Sequence, residues 1–128
     1  MEPGRLLALA AQVQARAYAP YSGFPVGAAL LGISGAVYTG CNVENTAYGL
    51  SLCAERAAAV QAVAAGERSF LALAVVAGAG NEGCWPCGAC RQFLWEFGDM
   101  VVMVPGPDRK PQMRLLSQLL PEPFAIQK

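Results

Sequence analysis

The chain lacks histidine entirely, and only 14% of its 128 residues are charged. Any metal site must therefore use thiolates and carboxylates as ligands, and no imidazole can act as a general base. Nine basic and nine acidic side chains cancel, and no run of Lys or Arg is present. Because neutralisation of phosphates drives binding to nucleic-acid backbones, this balance argues against a nucleic-acid partner and favours a small, uncharged substrate.

Features of membrane and exported proteins are also missing. No stretch of about 18 apolar residues could span a bilayer, which predicts no membrane partner. The N-terminus, with Glu2 and Arg5 before an Ala/Leu helix pattern, does not have the layout of a secretory signal. The five cysteines are an odd number, and three of them crowd between Cys84 and Cys90, which suits metal binding in a reducing cytosol better than a disulfide framework. We therefore expect a cytoplasmic protein.

Length and hydrophobic pattern predict a single domain over residues 1–128. Apolar periodicity indicates helices, and uninterrupted apolar runs indicate strands that are covered on both faces. The order of these elements predicts an α/β fold, a sandwich around one mixed sheet. The predicted elements are helices over 3–17, 52–65 and 87–97, strands over 26–33, 36–43, 70–77, 100–104 and near 112–114, and a Leu-rich turn or helix before Pro121.

Apolar residues make up 55% of the chain, and its charged fraction is below the roughly one quarter of ordinary domains. One small core does not need this much apolar surface. The composition therefore favours a subunit interface and a homo-oligomer. The alternative is an Ala-rich, tightly packed monomer.

Three cysteines have the spacing of a catalytic metal site. Cys87 and Cys90 lie one turn apart at the start of a predicted helix, and Cys53 lies at the start of another. If these helix starts face each other, three sulfurs converge on one ion and a fourth position stays open for water, as in catalytic zinc sites. The positive ends of the helices and Arg56 would offset the negative charge of three thiolates. Without the motif, Arg56 is interpreted as an exposed helix residue.

Cys84 leaves two other arrangements open. With the other three cysteines it could complete a closed, four-sulfur structural zinc site. The segment Cys84-Trp-Pro-Cys87 is also a C-x-x-C of the redox type, but a redox role would leave Cys53 and Glu55 without functions. The three-ligand interpretation is favoured because Cys84 lies on the loop side of Pro86.

Glu55 lies two residues after Cys53, beside the predicted open position. A carboxylate there can take a proton from water and return it to a leaving group. The sequence combines Cys53-Ala-Glu55 with a later Pro86-Cys-Gly-Ala-Cys90. A ligand, one spacer and Glu, followed by Pro-Cys-x-x-Cys, is the pattern of zinc deaminases, in which Glu is not a ligand.

Further segments resemble one family of these enzymes. Residues 18–30, 40–48 leading into 53–56, 86–92 and 119–124 are similar to stretches of the small, homotetrameric cytidine deaminases. The resemblance implies Zn²⁺-dependent hydrolysis of cytidine and deoxycytidine to uridine and deoxyuridine plus ammonia, in pyrimidine salvage. It also implies a three-layer α/β/α sandwich around a five-stranded mixed sheet, and a homotetramer whose active sites lie at subunit interfaces.

The same resemblance assigns a nucleoside pocket. Phe24 would stack on the pyrimidine ring, and Asn42 and Glu44 would hydrogen-bond the ribose 3′-hydroxyl. From residue type alone, Phe24 is equally an ordinary core residue. Asn42 and Glu44 are also ordinary residues at strand ends.

Further resemblance-based roles concern the base edge and a neighbouring subunit. The backbone at Ala54 and near Trp85 would contact the base, and Ala47, Tyr48 and Phe124 would complete a neighbour's pocket. Trp85 departs from the family, in which a small or polar residue generally precedes Pro-Cys, and this bears on fine substrate preference. A deaminase for aminopyrimidine nucleosides of the blasticidin type stays open as a second function. Polynucleotide editing shares the zinc motif, but the neutral charge argues against it.

Overall fold

The computed structural model describes residues 1–79, 84–107 and 110–126. Helix α1 spans Pro3–Gln14, α2 Ala54–Ala64, α3 Gly88–Trp95 and the short α4 Leu116–Leu119. The strands are β1 Val26–Gly32, β2 Val37–Cys41, β3 Phe70–Ala77, β4 Val101–Pro105 and β5 Pro111–Leu115. A 3₁₀ turn covers Tyr48–Leu50. No helix in these ranges is long and apolar enough to cross a membrane.

The strands form one mixed sheet in the order β2-β1-β3-β4-β5. Strand β1 pairs antiparallel with β2 and with β3, whereas β3 and β4 are parallel and β4 pairs antiparallel with β5. A parallel pair needs a crossover connection, and α3 lies in the connection from β3 to β4. The carboxyl end of β3 therefore leads towards the start of α3, where the candidate site lies.

Helices cover both faces of the sheet. On one face, α1 buries Ala10 in a cluster with Ala74 of β3. On the other face, α2 and α3 bury Ala58 and Leu94 in a cluster with Val75 of the same strand. Because neighbouring residues of a strand point to opposite faces, β3 contributes to both clusters and is buried over nearly its whole length.

Two glycines let helices approach the sheet closely. A Cβ added at Gly40 in β2 would lie 2.5 Å from the Ala58 nitrogen of α2, and one added at Gly27 in β1 would lie 2.7 Å from the Gln14 nitrogen of α1. Such distances are shorter than any ordinary Cβ contact. Gly40 therefore fixes how α2, the helix that carries Glu55, sits on the sheet.

The predicted α/β fold around a five-stranded mixed sheet is confirmed, and the differences lie at element ends. Helix α1 ends before residue 17, because Tyr18 already pairs with Val43 in a β-bridge. Helix α2 begins at Ala54 rather than at residue 52, because Leu52 also forms a bridge with Val43. Strand β3 has the predicted ends, β1 and α1 begin where predicted, and the remaining ends differ by one or two residues. The 3₁₀ turn is absent from the predictions.

Candidate active site

Two helix starts bring three thiols together. Cys53 and Cys87 are the residues immediately before α2 and α3, and Cys90 lies in the first turn of α3. The three sulfur atoms all lie within 4.8 Å of one another. Cys90 is buried, Cys53 is partly buried and Cys87 is exposed. Partial positive charge at the helix N-termini favours the thiolate forms of this three-thiol cluster.

Arg56 adds positive charge to the three-thiol cluster. Its Nη2 donates a hydrogen bond to the Cys53 sulfur at 3.3 Å, while its buried Nε has no hydrogen-bond partner within the described ranges. Hydrogen bonds from the Cys90 thiol and from Arg56 lower the pKa of Cys53 to about 5. The pKa of Cys90 is raised, because its thiol proton is bound to the Cys53 sulfur and because its side chain is buried.

The donor set of the three-thiol cluster fits a Zn²⁺ ion. Thiolates this close repel one another, so all three lose their protons only when a cation neutralises them. Zinc accepts sulfur ligands readily, and three of them leave a fourth tetrahedral position for water. Cys84 is exposed and lies outside the only such cysteine group in the described residues. This placement counts against a closed four-sulfur site.

Glu55 lies in the first turn of α2, two residues after Cys53, and only 5% of it is exposed. Burial raises the pKa of its carboxyl group, and the negative charge of Cys53 raises it further, against a lowering by a backbone hydrogen bond. A carboxyl group with a raised pKa exchanges protons nearer to neutral pH. Glu55 therefore has the property that a general acid–base group needs.

A main pocket of about 280 Å³ opens beside the three-thiol cluster and Glu55. Four of the predicted substrate-binding residues line it, namely Asn42, Glu44, Ala54 and Trp85. The other lining residues are Val26, Ser51, Leu52, Cys53, Glu55, Val75, Ala77, Cys84 and Cys87. A mostly apolar cleft of this size, with a few convergent polar groups, has the character of a small-molecule site.

Phe24 lies next to the main pocket, and polar residues of the pocket wall form hydrogen bonds with its segment. Its half-exposed ring packs close to Gly78, the residue after β3. Asn42 Oδ1 accepts a hydrogen bond from the Val26 N–H at 2.9 Å, and Asn42 Nδ2 donates to the Phe24 carbonyl at 3.0 Å. The Glu44 carboxylate accepts hydrogen bonds from the loop that precedes Phe24. Both pocket residues thus hold the segment that carries Phe24.

The residues expected to reach a neighbouring subunit, Ala47, Tyr48 and Phe124, do not line the main pocket. Ala47 and Tyr48 are exposed, and Tyr48 lines a second cavity of about 330 Å³ that shares Glu44 with the main pocket. Phe124 is 75% exposed and lines a third cavity of about 570 Å³. The Gln92 carboxamide pairs with the Phe124 backbone, through bonds of 2.7 and 3.0 Å. A single chain therefore does not bring Phe124 into the main pocket.

The family model of the cytidine and deoxycytidylate deaminase zinc-binding region matches residues 2–105, which include the three thiols and Glu55. The chain belongs to this family. It is 47% identical over 128 residues to a cytidine deaminase of Sporosarcina psychrophila, across 98% of this chain and 93% of the relative. A cytidine deaminase of Mycobacterium tuberculosis strain H37Rv is 48% identical over 117 residues, across 91% of this chain and 85% of the relative.

A solved structure leads to the same family. The crystal structure of cytidine deaminase from Burkholderia pseudomallei matches with a TM-score of 0.89 and 44% sequence identity, across 97% of this chain and 100% of that one. The family resemblance, the fold and the zinc cofactor expected from the sequence are therefore confirmed.

Two serines of the deaminase site are absent from the sequence predictions. Ser22 binds Glu44, and Ser51 lines both the main pocket and the second cavity while its Oγ accepts a hydrogen bond from the Asn45 N–H at 3.1 Å. The available signal is local, because Ser22 lies two residues before Phe24 in a segment already assigned to the pocket. Serine in a loop commonly binds nearby backbone groups.

Two arginines also support the walls of the site. Arg91 Nε donates to the Pro86 carbonyl at 2.6 Å, and its Nη1 donates to the Leu119 carbonyl at 2.8 Å. The Arg114 guanidinium lies 5.4 Å from the centroid of the Trp85 ring, within cation–π range. The contacts of Arg91 with Leu119 and of Arg114 with Trp85 join segments that are far apart in the chain, and no local pattern predicts them.

Proposed function

We propose that the chain catalyses the hydrolytic deamination of cytidine and deoxycytidine to uridine and deoxyuridine, with release of ammonia, in pyrimidine salvage. The observation that carries this function is the convergence of Cys53, Cys87 and Cys90 beside the buried carboxyl group of Glu55, at the wall of the main pocket. Three thiols can hold Zn²⁺ with one open position, and a carboxyl group next to that position can move protons.

The proposed reaction uses Glu55 twice. Zn²⁺ held by the three thiolates supplies Lewis acidity that lowers the pKa of water. Glu55 accepts a proton from the attacking water as its oxygen bonds to carbon 4 of the ring, and it gives this proton to ring nitrogen 3. Glu55 then moves the second water proton from the new hydroxyl group to the amine, and the carbon–nitrogen bond breaks to release ammonia. The raised pKa of Glu55 suits both transfers.

The rest of the main pocket is proposed to bind the nucleoside. Asn42 and Glu44 line it just after the carboxyl end of β2 and would meet the ribose, while the Ala54 and Trp85 backbone would meet the edge of the base. Phe24 would stack on the ring from its position beside Gly78.

The proposed assembly is a cytoplasmic homotetramer with active sites at subunit interfaces. Tyr48 is 74% exposed and Leu50 73%, although both are large and apolar, and Phe124 is similarly exposed. Exposed apolar groups of this kind are typical of surfaces that bind a partner. Ala47, Tyr48 and Phe124 would complete the pocket of a neighbouring subunit.

Ammonia release from purified, zinc-loaded protein tests the proposed function. We expect turnover of cytidine and deoxycytidine and little turnover of free cytosine, since cytosine lacks the ribose. Faster turnover of blasticidin than of cytidine would instead support the second substrate class, for which the Trp85 indole at the pocket is the relevant feature.

The variant Cys84→Ser distinguishes the deaminase hypothesis from that of a structural zinc module. We expect it to fold and to keep about one zinc per chain, because Cys84 lies outside the three-thiol cluster. Loss of zinc and of folding would support the four-sulfur site.

A further inference from the structure

Ser22 connects two parts of the proposed pocket through its hydroxyl and its backbone. The Ser22 hydroxyl donates a short hydrogen bond to Glu44 Oε2, and the Ser22 N–H donates to Glu44 Oε1 at 3.1 Å. The same hydroxyl oxygen accepts a hydrogen bond from the Phe24 N–H at 3.0 Å. The Tyr21 N–H adds a further bond to Glu44 Oε1 at 2.9 Å. One serine thus touches both the acidic residue and the aromatic residue of the pocket.

We propose that Ser22 is a positioning residue, which holds the Glu44 carboxylate towards the sugar and the Phe24 segment towards the base. This role rests on the proposed function, because it acts through Glu44 and Phe24. Ser22 itself lines the second cavity, not the main pocket, so it needs no contact with the reacting atoms.

The chemistry of a hydroxyl explains why both contacts matter. A serine has one O–H donor, which is used on Glu44, and its oxygen accepts from Phe24, so the two bonds together fix one rotamer. Hydrogen bonds to a charged group are stronger than neutral ones. The Ser22 hydroxyl is also the largest cause that lowers the pKa of Glu44, which keeps that carboxylate ionised and able to accept a hydrogen bond from a sugar hydroxyl.

The chain contains a matched serine away from the pocket. The Ser34 hydroxyl donates a short hydrogen bond to Glu67 Oε2 and accepts one from the Ala36 N–H at 3.3 Å, two residues ahead. Ser22 has the same arrangement, because its hydroxyl donates to a carboxylate and accepts a hydrogen bond from the N–H of the residue two positions later. Ser34 lies in the β1–β2 turn and Glu67 lies between α2 and β3, and neither lines any of the pockets described above. Ser34→Ala therefore removes the same kind of contact without touching the site.

The experiment compares kcat and KM of wild type, Ser22→Ala and Ser34→Ala on cytidine. Loss of a hydrogen bond to a charged group is expected to raise KM about 10-fold in Ser22→Ala with a smaller change in kcat. Ser34→Ala should keep the wild-type KM, and Ser22→Thr, which retains a hydroxyl, should restore most of the affinity. With 3′-deoxycytidine the penalty of Ser22→Ala should shrink, because the hydroxyl expected to meet Glu44 is absent.

A double-mutant cycle tests the route through Glu44. In a Glu44→Gln background, Ser22→Ala should raise KM by less than it does in wild type, because the two groups act together. The role of Ser22 is overturned if Ser22→Ala has the wild-type KM, if Ser34→Ala raises KM equally, or if the cycle shows independent effects. Those results leave the deaminase function intact provided that wild type turns cytidine over. Absence of turnover by zinc-loaded wild type would overturn both.

Discussion

The guanidinium of Arg56 is a cation held directly against a sulfur ligand of the proposed zinc site. Three thiolates and one Zn²⁺ carry a net charge of minus one, which works against removing a proton from water. The bond from Arg56 to Cys53 draws off part of this charge. Arginine stays protonated at all working pH values, so the contribution does not depend on pH.

Substitution of Arg56 should weaken zinc binding. Arg56→Gln removes the charge and the bond to Cys53, and loss of such a supporting contact typically costs about 10- to 100-fold in metal affinity or activity. Competition with a chromophoric chelator measures the affinity. Arg68→Gln is the control, since Arg68 Nη1 donates hydrogen bonds to the carbonyl oxygens of Val63 and Glu67 and Arg68 lies beyond the carboxyl end of α2. Equal zinc affinities in the two variants would contradict the role of Arg56.

At the scale of elements, the starts of α2 and α3 form the site because the sheet holds both helices on one face. Gly40 permits the close approach of α2, and Gly27 permits that of α1 on the opposite face. The two glycines therefore have the same packing role, but only Gly40 packs against the helix that begins at the proposed zinc site.

Substitution of these two glycines by alanine should distinguish an effect on stability from an effect on zinc binding. An added methyl group in a filled space costs about 1–3 kcal/mol, so both Gly40→Ala and Gly27→Ala should lower the free energy of unfolding in urea. Only Gly40→Ala displaces the helix that follows Cys53, and only this variant should also lose zinc affinity. Zinc loss of the same size in Gly27→Ala would show that general destabilisation is responsible.

Local patterns in the sequence are sufficient to predict the helices, the strands and the cluster of three cysteines. They are insufficient where a contact joins remote segments. The bridges of Val43 to Tyr18 and to Leu52 shift the ends of α1 and α2, and no periodicity within either helix reveals them. The same holds for the hydrogen bonds between Glu44 and the loop at Ser22, which depend on how β2 and that loop lie together.

At the scale of the whole molecule, we propose that the site is shared between subunits. Phe124 is held on the surface by Gln92 and does not line the main pocket of its own chain. Its large exposed ring is available to a neighbouring subunit, whereas composition alone favours an interface without indicating which residues form it. Which residues are expected to reach a neighbour is implied by the family resemblance, not by the pattern of one chain.

Mixing two variants that are each impaired in a different part of the site tests whether the site is shared. Phe124→Ala should impair the pocket of the neighbour, and Glu55→Gln should inactivate its own pocket. When the two variants exchange subunits, some sites combine the intact Glu55 of a Phe124→Ala subunit with the intact Phe124 of a Glu55→Gln subunit. Mixing should therefore restore part of the activity. Light scattering should give about four times the 13.4 kDa chain mass. A monomer, or no recovery on mixing despite subunit exchange, would contradict the shared site.

The most direct test of the central claim is the turnover of cytidine by wild type and Glu55→Gln, with zinc measured in both. Glutamine keeps the shape of the side chain but cannot take up the proton from water. We predict about one zinc per chain in each protein and a rate lower by about 10²- to 10⁴-fold or more in the variant. Near-normal turnover by zinc-loaded Glu55→Gln would contradict the proposed role of Glu55.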